Sequence, residues 1–422
     1  MAMSIDLTYK PRVADQELSK RLEASGAVLI EGPKACGKTE SARQVAASEV
    51  LLDVDEEARA AAALDPGLIL AGDTPRLIDE WQVEPRVWNH VRRAVDERRQ
   101  PGQFLLAGSA VPSDDASRHS GAGRISRLRM RPMSLFESGE SDGSISLRDL
   151  MAGGKARSTN TIELAEMAEA VVRGGWPALR EMPLERAMEE VANYLEEVSR
   201  TDINRVEGTQ RDPARVRRLM RSLARNVATH VSTTTLAADT ADGGDEPLKR
   251  QTVTEYLSAL QRLFVIEDQP PWEPHLRSRS ILRKSPKRHF VDPSLAAAAL
   301  GAGPSALLRD LNLFGFLFES LVIRDLRVYS QPLRGEVRQF RDNKGLEVDA
   351  IVESVAGWSA FEIKLGGPKA IEEGAANLLK FAREIDTRRS GEPAALGIIV
   401  AGGYGYTRED GIQVIPITAL GP

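Results

Sequence analysis

Cysteine is almost absent: Cys36 is the only one in 422 residues. An internal disulfide framework is therefore excluded, and the chain reads as one adapted to a reducing, cytoplasmic setting. Aromatic residues make up only 5%, too few and too scattered to signal a channel of stacked single-stranded bases. No apolar run is long enough to span a bilayer, and the opening MAMSIDLTYKPRV lacks the apolar centre of a secretory leader, so no membrane partner is expected. An excess of positive charge is missing too. The 56 Lys and Arg are outnumbered by 61 Asp and Glu, for a net charge of −5, so any affinity for nucleic acid has to come from local patches. What is present is a globular composition, 42% hydrophobic and 28% charged, at a length that calls for two or three domains.

The strongest positive signal is Gly32-Pro33-Lys34-Ala35-Cys36-Gly37-Lys38-Thr39, a full match to Gly-x-x-x-x-Gly-Lys-Thr. An apolar run, residues 27–30, precedes it as a buried strand would. Residues 40–47 follow with Ala42, Val45 and Ala46 at helical spacing. Strand, loop and helix start together turn backbone N–H groups and the helix dipole towards phosphate oxygens. Gly32 to Glu40 therefore form the expected ATP-binding segment, with Lys38 on the β- and γ-phosphates and the Thr39 hydroxyl on Mg²⁺. Cys36 reads either as a small residue in a tight loop or as a redox handle.

Hydrolysis needs acids at the end of a neighbouring strand. Arg76-Leu77-Ile78-Asp79-Glu80 supplies them: Asp79 for the Mg²⁺ shell and Glu80 to polarise the attacking water. Further strands are expected over residues 50–54, 104–107 and 125–130, with a helix over 88–99 between them and a polar loop over 113–123. The alternation predicts a parallel sheet covered by helices. Arg124 is a candidate for placing positive charge on the transition state, in its own chain or in a neighbour.

The rest of the chain divides by composition. Residues 1–136 form the expected ATPase domain, and 137–160, rich in Gly and Ser, a linker or insertion with one short helix over 147–151. Residues 161–230 read as helical, broken by Gly174-Gly175-Trp176-Pro177. Residues 231–289 form a winged-helix-like module: helices around 219–228, 232–238 and 249–264, then Val265-Ile266-Glu267 as a wing. DNA is its candidate partner. Two basic runs would support that, Arg211, Arg215, Arg217, Arg218, Arg221 and Arg225, then Arg277, Arg279, Arg283, Lys284, Lys287 and Arg288. Residues 290–422 return to α/β, with a helix over 311–328, strands over 346–352 and 359–365 joined by a turn at Gly357, a helix over 370–384 and a strand over 396–400. Glu362 and Lys364, two apart on one strand, share a face. Asp349 sits on the adjoining strand, and Glu319 on the preceding helix adds an acid.

Asp349 followed by Glu362-x-Lys364 resembles the PD-(D/E)XK nuclease-like superfamily. That resemblance implies divalent metal, Mg²⁺ or Mn²⁺, at Asp349, Glu362 and Glu319, with Lys364 activating water or stabilising charge. The runs EGPKACGKTESARQ, LIDEWQ, FLLAGSA and GRISRLRMRPMSLFE resemble a prokaryotic AAA-type ATPase family whose C-terminal domain was long catalogued as of unknown function. Pro132, Ser134, Leu135, Phe136 and Glu137 match its Pro-x-Ser-x-x-Glu-like segment, and residues 174–177 its Gly-Gly-aromatic-Pro turn. The resemblance implies a γ-phosphate-sensing role for Ser109. The fold class expected is α/β: a P-loop NTPase parallel sheet, a helical and winged-helix middle, and a C-terminal α/β nuclease-like domain. The function expected is a Mg²⁺-dependent ATPase whose nucleotide state controls a DNA-binding, nuclease-like tail. The alternative is an ATP-switched regulatory or binding protein with an inactive nuclease-like domain, such as a toxin–antitoxin or defence component. Self-association or a protein partner fits either.

Overall fold

The computed structural model describes residues 9–109, 120–205, 211–241, 246–274 and 285–422. Part of the expected 113–123 loop, the turn at Gly243-Gly244, and Arg277, Arg279, Arg283 and Lys284 lie outside the described residues. The chain divides into two compact units. One is Met1–Pro132 with Thr201–Gln210 and Ser258–Val265; the other is Met133–Arg200, Arg211–Leu257 and Ile266–Pro422.

The first unit runs α1 (Val13–Ala24), β1 (Ala27–Glu31), α2 (Lys38–Arg43), β2 (Ser48–Leu51), α3 (Glu56–Leu64), β3 (Arg76–Asp79), α4 (Val87–Arg98), β4 (Phe104–Gly108) and β5 (Ile125–Arg129). Its five strands are all parallel, in the order β2-β3-β4-β1-β5. Both faces are buried, and the two-residue repeat of the strand sorts the side chains. Ala27 and Leu29 of β1, with Phe104 and Leu106 of β4, join one apolar cluster. Val28 and Ile30, with Leu105 and Ala107, join the other. Two boundaries differ from expectation. The helix after the phosphate loop spans Lys38–Arg43 rather than 40–47, because the chain tightens there: Gln44 N–H reaches the Ser41 carbonyl at 3.3 Å and Val45 that of Ala42 at 3.1 Å. The second strand is Ser48–Leu51, because Asp55 caps α3 by accepting from the Ala58 N–H at 2.8 Å and the chain must turn before it.

The one-turn α9 (Ile203–Arg205) belongs to the first unit. The second unit contains α5 (Leu135–Ser138), β6 (Ile145–Ser146), α6 (Leu147–Met151), α7 (Leu164–Arg173), α8 (Leu184–Glu197), α10 (Pro213–Arg225) and α11 (Thr233–Asp239). After α12 (Arg250–Arg262), which straddles the division, come α13 (Pro293–Leu300), α14 (Pro304–Arg309), α15 (Leu311–Ser330), β7 (Glu336–Arg341), β8 (Glu347–Ser354), β9 (Gly357–Lys364), α16 (Pro368–Glu384), α17 (Thr387–Ser390), β10 (Leu396–Val400), β11 (Tyr406–Thr407), β12 (Gln413–Pro416) and β13 (Leu420–Gly421). The six-stranded sheet has the order β11-β12-β10-β9-β8-β7. Strands β7, β8 and β9 are antiparallel neighbours, whereas β9, β10 and β12 are parallel. Trp272, Trp358, Phe340 and Phe381 fill one face, with the Trp272 and Trp358 rings 4.9 Å apart.

The 137–160 segment is no free linker. β6 pairs in parallel with β13, the Ser141 hydroxyl donates to the Leu420 carbonyl at 2.7 Å, and the Ala156 N–H donates to Gln413 Oε1 at 2.8 Å. Its Gly and Ser content masked this, because its binding comes from polar pairing with the last strands plus a few buried apolar side chains, Ile145, Leu147, Leu150 and Met151. After α12, Ile266 bridges Phe290 and Gln269 bridges Lys287, both antiparallel. The chain then runs into the C-terminal sheet, where the Trp272 N–H donates to the Gln339 carbonyl at 2.6 Å.

Candidate nucleotide site and a carboxylate cluster

The phosphate loop leaves the C-terminal end of β1. Gly37 takes a left-handed φ of 100°, a conformation that costs glycine least, and so turns the chain into α2. Lys38 is buried, and its Nζ donates to the loop's own carbonyls, Gly32 O at 3.0 Å and Pro33 O at 2.7 Å. The Thr39 hydroxyl donates to Asp79 Oδ2 at 2.9 Å. Asp79 Oδ1 is buried with no hydrogen-bond partner among the described residues. A carboxylate oxygen left open beside a threonine hydroxyl suits a hydrated Mg²⁺, which takes oxygen ligands and retains water. Burial raises the Asp79 carboxyl, and Thr39, the Glu80 N–H and Lys38 pull it back only in part.

Glu80 stands at the strand end with a left-handed φ of 49°, unusual for a side-chain-bearing residue and a feature that collects at functional sites. Its carboxylate accepts from Gln82 Nε2 and from the Ser109 hydroxyl, the latter at 3.3 Å. Burial raises Glu80 as well, against Lys38 and with Asp79 adding to the rise. The strand order explains the meeting: β4 lies between β1 and β3, so Ser109 at its end stands beside the acids of β3.

Other expected loop residues have plainer surroundings. Cys36 is fully buried among Ala14, Leu18, Val28 and Leu128, which favours the packing reading over the redox one. Lys34 pairs with Asp202 at 2.5 Å, and the exposed Glu40 with Arg43 at 2.7 Å. Arg124 lies elsewhere. It precedes β5 level with the start of β1, and its Nε donates to Asp96 Oδ1 at 2.8 Å. The phosphate loop is at the other end of that strand, about 16 Å away at the usual rise per residue. Arg124→Ala is accordingly expected to leave phosphate release unchanged; a loss of about tenfold or more would instead mean service to a neighbouring copy. Sequence reading missed Arg12, whose guanidinium donates to the Cys36 carbonyl at 2.7 Å and the Arg131 carbonyl at 2.8 Å and braces the loop. No local motif announces such a role.

In the second unit the hairpin of β8 and β9 brings Asp349, Glu362 and Lys364 together, and α15 adds Glu319. Lys364 Nζ lies 2.6 Å from Glu362 Oε2 and 3.3 Å from Asp349 Oδ2. The Ile363 N–H donates to Asp349 Oδ2 at 3.0 Å and Asn377 Nδ2 to Glu362 Oε1 at 2.8 Å. Lys287, expected on a basic outer face, points inward instead. It is buried, with Nζ 2.7 Å from Glu319 Oε1 and 3.2 Å from Asp349 Oδ1. Burial opposes the charge on Asp349, but Lys287 and Lys364 hold its carboxyl below the ordinary range. Glu362 is pushed up by burial and by Asp349, despite Lys364, and Glu319 rises to about 7 by burial despite Lys287. Among the described residues no three His, Cys, Asp or Glu side chains are arranged to hold a metal ion. Lysine, asparagine and backbone donors already reach the carboxylate oxygens from which the expected divalent metal would be held.

The remaining basic residues are largely matched by acids. Arg288 pairs with Asp268 at 3.0 Å, Arg217 with Glu196 at 3.0 Å and Arg225 with Asp239 at 3.0 Å, while Arg215 lies 3.6 Å from Asp212. Arg211 is buried over the Tyr256 ring at 5.7 Å. The expected continuous phosphate-binding face is therefore partly spent within the fold.

Residues 24–138 match the family described as AAA domain. Residues 164–306 match a domain of unknown function (DUF8612), and residues 314–420 another (DUF4143). The uncharacterized proteins Rv2008c of Mycobacterium tuberculosis and Mb2031c of Mycobacterium bovis are each 25% identical to this chain over 409 residues, 96% of it and 83% of theirs. The Walker-type ATPase PabY2304 of Pyrococcus abyssi aligns with 69% of this chain and 99% of its own at 13% identity and a TM-score of 0.40. The AAA-domain match and the five-stranded parallel sheet agree on a P-loop ATPase-type domain in an α/β protein. No helix among the described residues is long and apolar enough to cross a membrane.

Proposed function

We propose that this chain binds Mg²⁺-ATP at Gly32–Thr39 and hydrolyses it, and that the nucleotide state governs its C-terminal region. The observation that carries this reading is Asp79, with one oxygen on the Thr39 hydroxyl and the other buried and open. Lys38 would hold the β- and γ-phosphates, Thr39 and Asp79 the Mg²⁺, and Glu80 the attacking water, with Ser109 orienting Glu80. The ion would neutralise charge on the phosphates. Lys38→Ala removes a charged hydrogen-bond donor, so nucleotide affinity should fall about 10- to 150-fold, the equivalent of roughly 1.5–3 kcal/mol. Thr39→Ala should abolish the tightening of nucleotide binding by Mg²⁺. Titration of a fluorescent ATP analogue with and without Mg²⁺ reads both, and unchanged affinity in Lys38→Ala would sink the assignment.

The α/β layer around Asp349, Glu362 and Lys364 supports a nuclease-like reading of the C-terminal region, with DNA as its candidate ligand. Between the two functions weighed above, the pairing of Lys287 with Glu319 and Asp349 favours the second, an ATP-switched regulatory or binding protein whose nuclease-like region does not cleave. Nicking of plasmid DNA by the purified chain in Mg²⁺ or Mn²⁺, lost on Lys364→Ala, would reverse that preference.

A further inference from the structure

Three carboxylates buried together need cations, and a nuclease-like site meets that need with a divalent ion. Here two lysines meet it. Lys287 joins Glu319 to Asp349, and Lys364 joins Asp349 to Glu362. With the Ile363 N–H and Asn377, donors reach Glu319 Oε1, both oxygens of Asp349 and both of Glu362. An incoming ion would have to compete with these donors for its ligands.

Lys287 is held in place by several independent contacts. Its backbone exchanges two hydrogen bonds with Gln269, at 2.8 and 3.1 Å. Gln269 Nε2 donates to the carbonyls of Arg338, at 3.0 Å, and Asp349, at 2.9 Å. That fixes the amide, so Gln269 Oε1 faces His289 Nε2 at 3.1 Å and the proton belongs on Nε2. His289 Nδ1 then accepts from the Ser320 hydroxyl at 2.8 Å, one residue from Glu319. Lys287 and His289, two apart on an extended segment, therefore face α15 together. His289 is fully buried and neutral, its basicity lowered by burial and then by Arg327 and Lys287. To admit a divalent ion the fold would have to evict an ammonium whose buried carboxylate partners among the described residues are Glu319 and Asp349.

We propose that the Lys287 ammonium is the resident cation of the Glu319–Asp349–Glu362 cluster, and that the wild-type chain takes no divalent ion there. The inference is independent of the nucleotide reading, because its measurement needs neither ATP nor turnover. Mn²⁺ binding to the full chain, followed by electron paramagnetic resonance without nucleotide, tests it. Wild type and Asp349→Asn should give the same isotherm. Lys287→Met should gain one Mn²⁺ per chain, and Lys287→Met combined with Asp349→Asn should lose it again. A wild-type ion that Asp349→Asn removes would overturn the proposal, and so would a folded Lys287→Met chain that gains none. Should Lys287→Met fail to fold, the wild-type and Asp349→Asn comparison decides alone.

Discussion

Glu80→Gln should slow ATP turnover about 10²- to 10⁴-fold, the range for losing a positioned general base, while nucleotide affinity stays close to that of the wild type. That loss corresponds to roughly 3–5 kcal/mol of transition-state stabilisation. The amide keeps the size of the side chain and can still accept from the Ser109 hydroxyl, now 3.3 Å from the carboxylate, so the change isolates the negative charge. Phosphate release and nucleotide titration on the same preparation separate the two effects. The pH profile provides a second test. Burial, with Asp79 adding to it, lifts the Glu80 carboxyl above its usual 4.5, although Lys38 opposes the rise. A base acts only when ionised, so turnover should be present above that raised value and lost as pH falls through it. The acid limb should lie higher than for an ordinary glutamate and should flatten in Glu80→Gln. Turnover within about tenfold of wild type would mean that Glu80 is not the base.

The nucleotide site could be read from the chain because its chemistry is local. Lys38 and Thr39 follow directly on the loop that needs them, and Asp79 and Glu80 end a strand whose apolar run is plain. Their meeting with Ser109 depends on strand order, which spacing alone does not set. The carboxylate cluster was half visible. Asp349, Glu362 and Lys364 lie on one hairpin, and a period of two places them together. Lys287 was not visible as a member, since a lysine in a basic run gives no sign of which way it points. The available clue was Lys287-x-His289 leading into Phe290 and Val291, an alternation that turns one face inward. Asn377 reaches Glu362 only because α16 packs on β9, a long-range fact. For Arg124 the sequence left open a role in its own chain or in a neighbour; the parallel pairing of β5 with β1 puts it at the end of the sheet away from its own phosphate loop, which leaves the neighbour.

The resemblance also carried two motifs with no evident chemistry, and their surroundings supply one. Asp292 accepts from the Gly175 N–H at 2.9 Å, and Asp325 accepts from the Leu135 N–H at 3.0 Å. The Phe136 N–H reaches the Tyr329 hydroxyl at 3.2 Å, and Trp176 Nε1 reaches the Ser294 hydroxyl at 3.0 Å. Gly175 itself lies so close to Met133 that an added Cβ would stand 2.1 Å from its carbonyl oxygen. The Pro-x-Ser segment and the Gly-Gly-Trp-Pro turn thus tie the backbone to two buried aspartates, and both aspartates depend on one arginine.

Arg324→Ala should therefore be the most destabilising substitution in the second unit, costing about 3–5 kcal/mol. Arg324 NH1 lies 2.8 Å from Asp292 Oδ2 and NH2 lies 2.7 Å from Asp325 Oδ1, with side chains 2%, 0% and 0% exposed. Removing the guanidinium strands two carboxylates where water cannot reach them. By contrast Lys34, 45% exposed in its pair with Asp202, should cost about 0.2–1 kcal/mol when changed to alanine. The dependence on pH has a definite sign. Burial raises Asp325 to about 6 even with Arg324 beside it, so its contribution is fullest below its unfolded value of 3.8 and is lost as pH rises through 6. Without Arg324 the Asp325 carboxyl, which the guanidinium now pulls down against burial, should rise further and fold most readily as a neutral acid. The deficit of Arg324→Ala should then be smaller at pH 5 than at pH 8, as read by denaturant unfolding of mutant and wild type at each pH. An equal deficit at both would show that the arginine's loss is felt through packing alone, and a deficit under about 1 kcal/mol would show that the two aspartates do not rely on it.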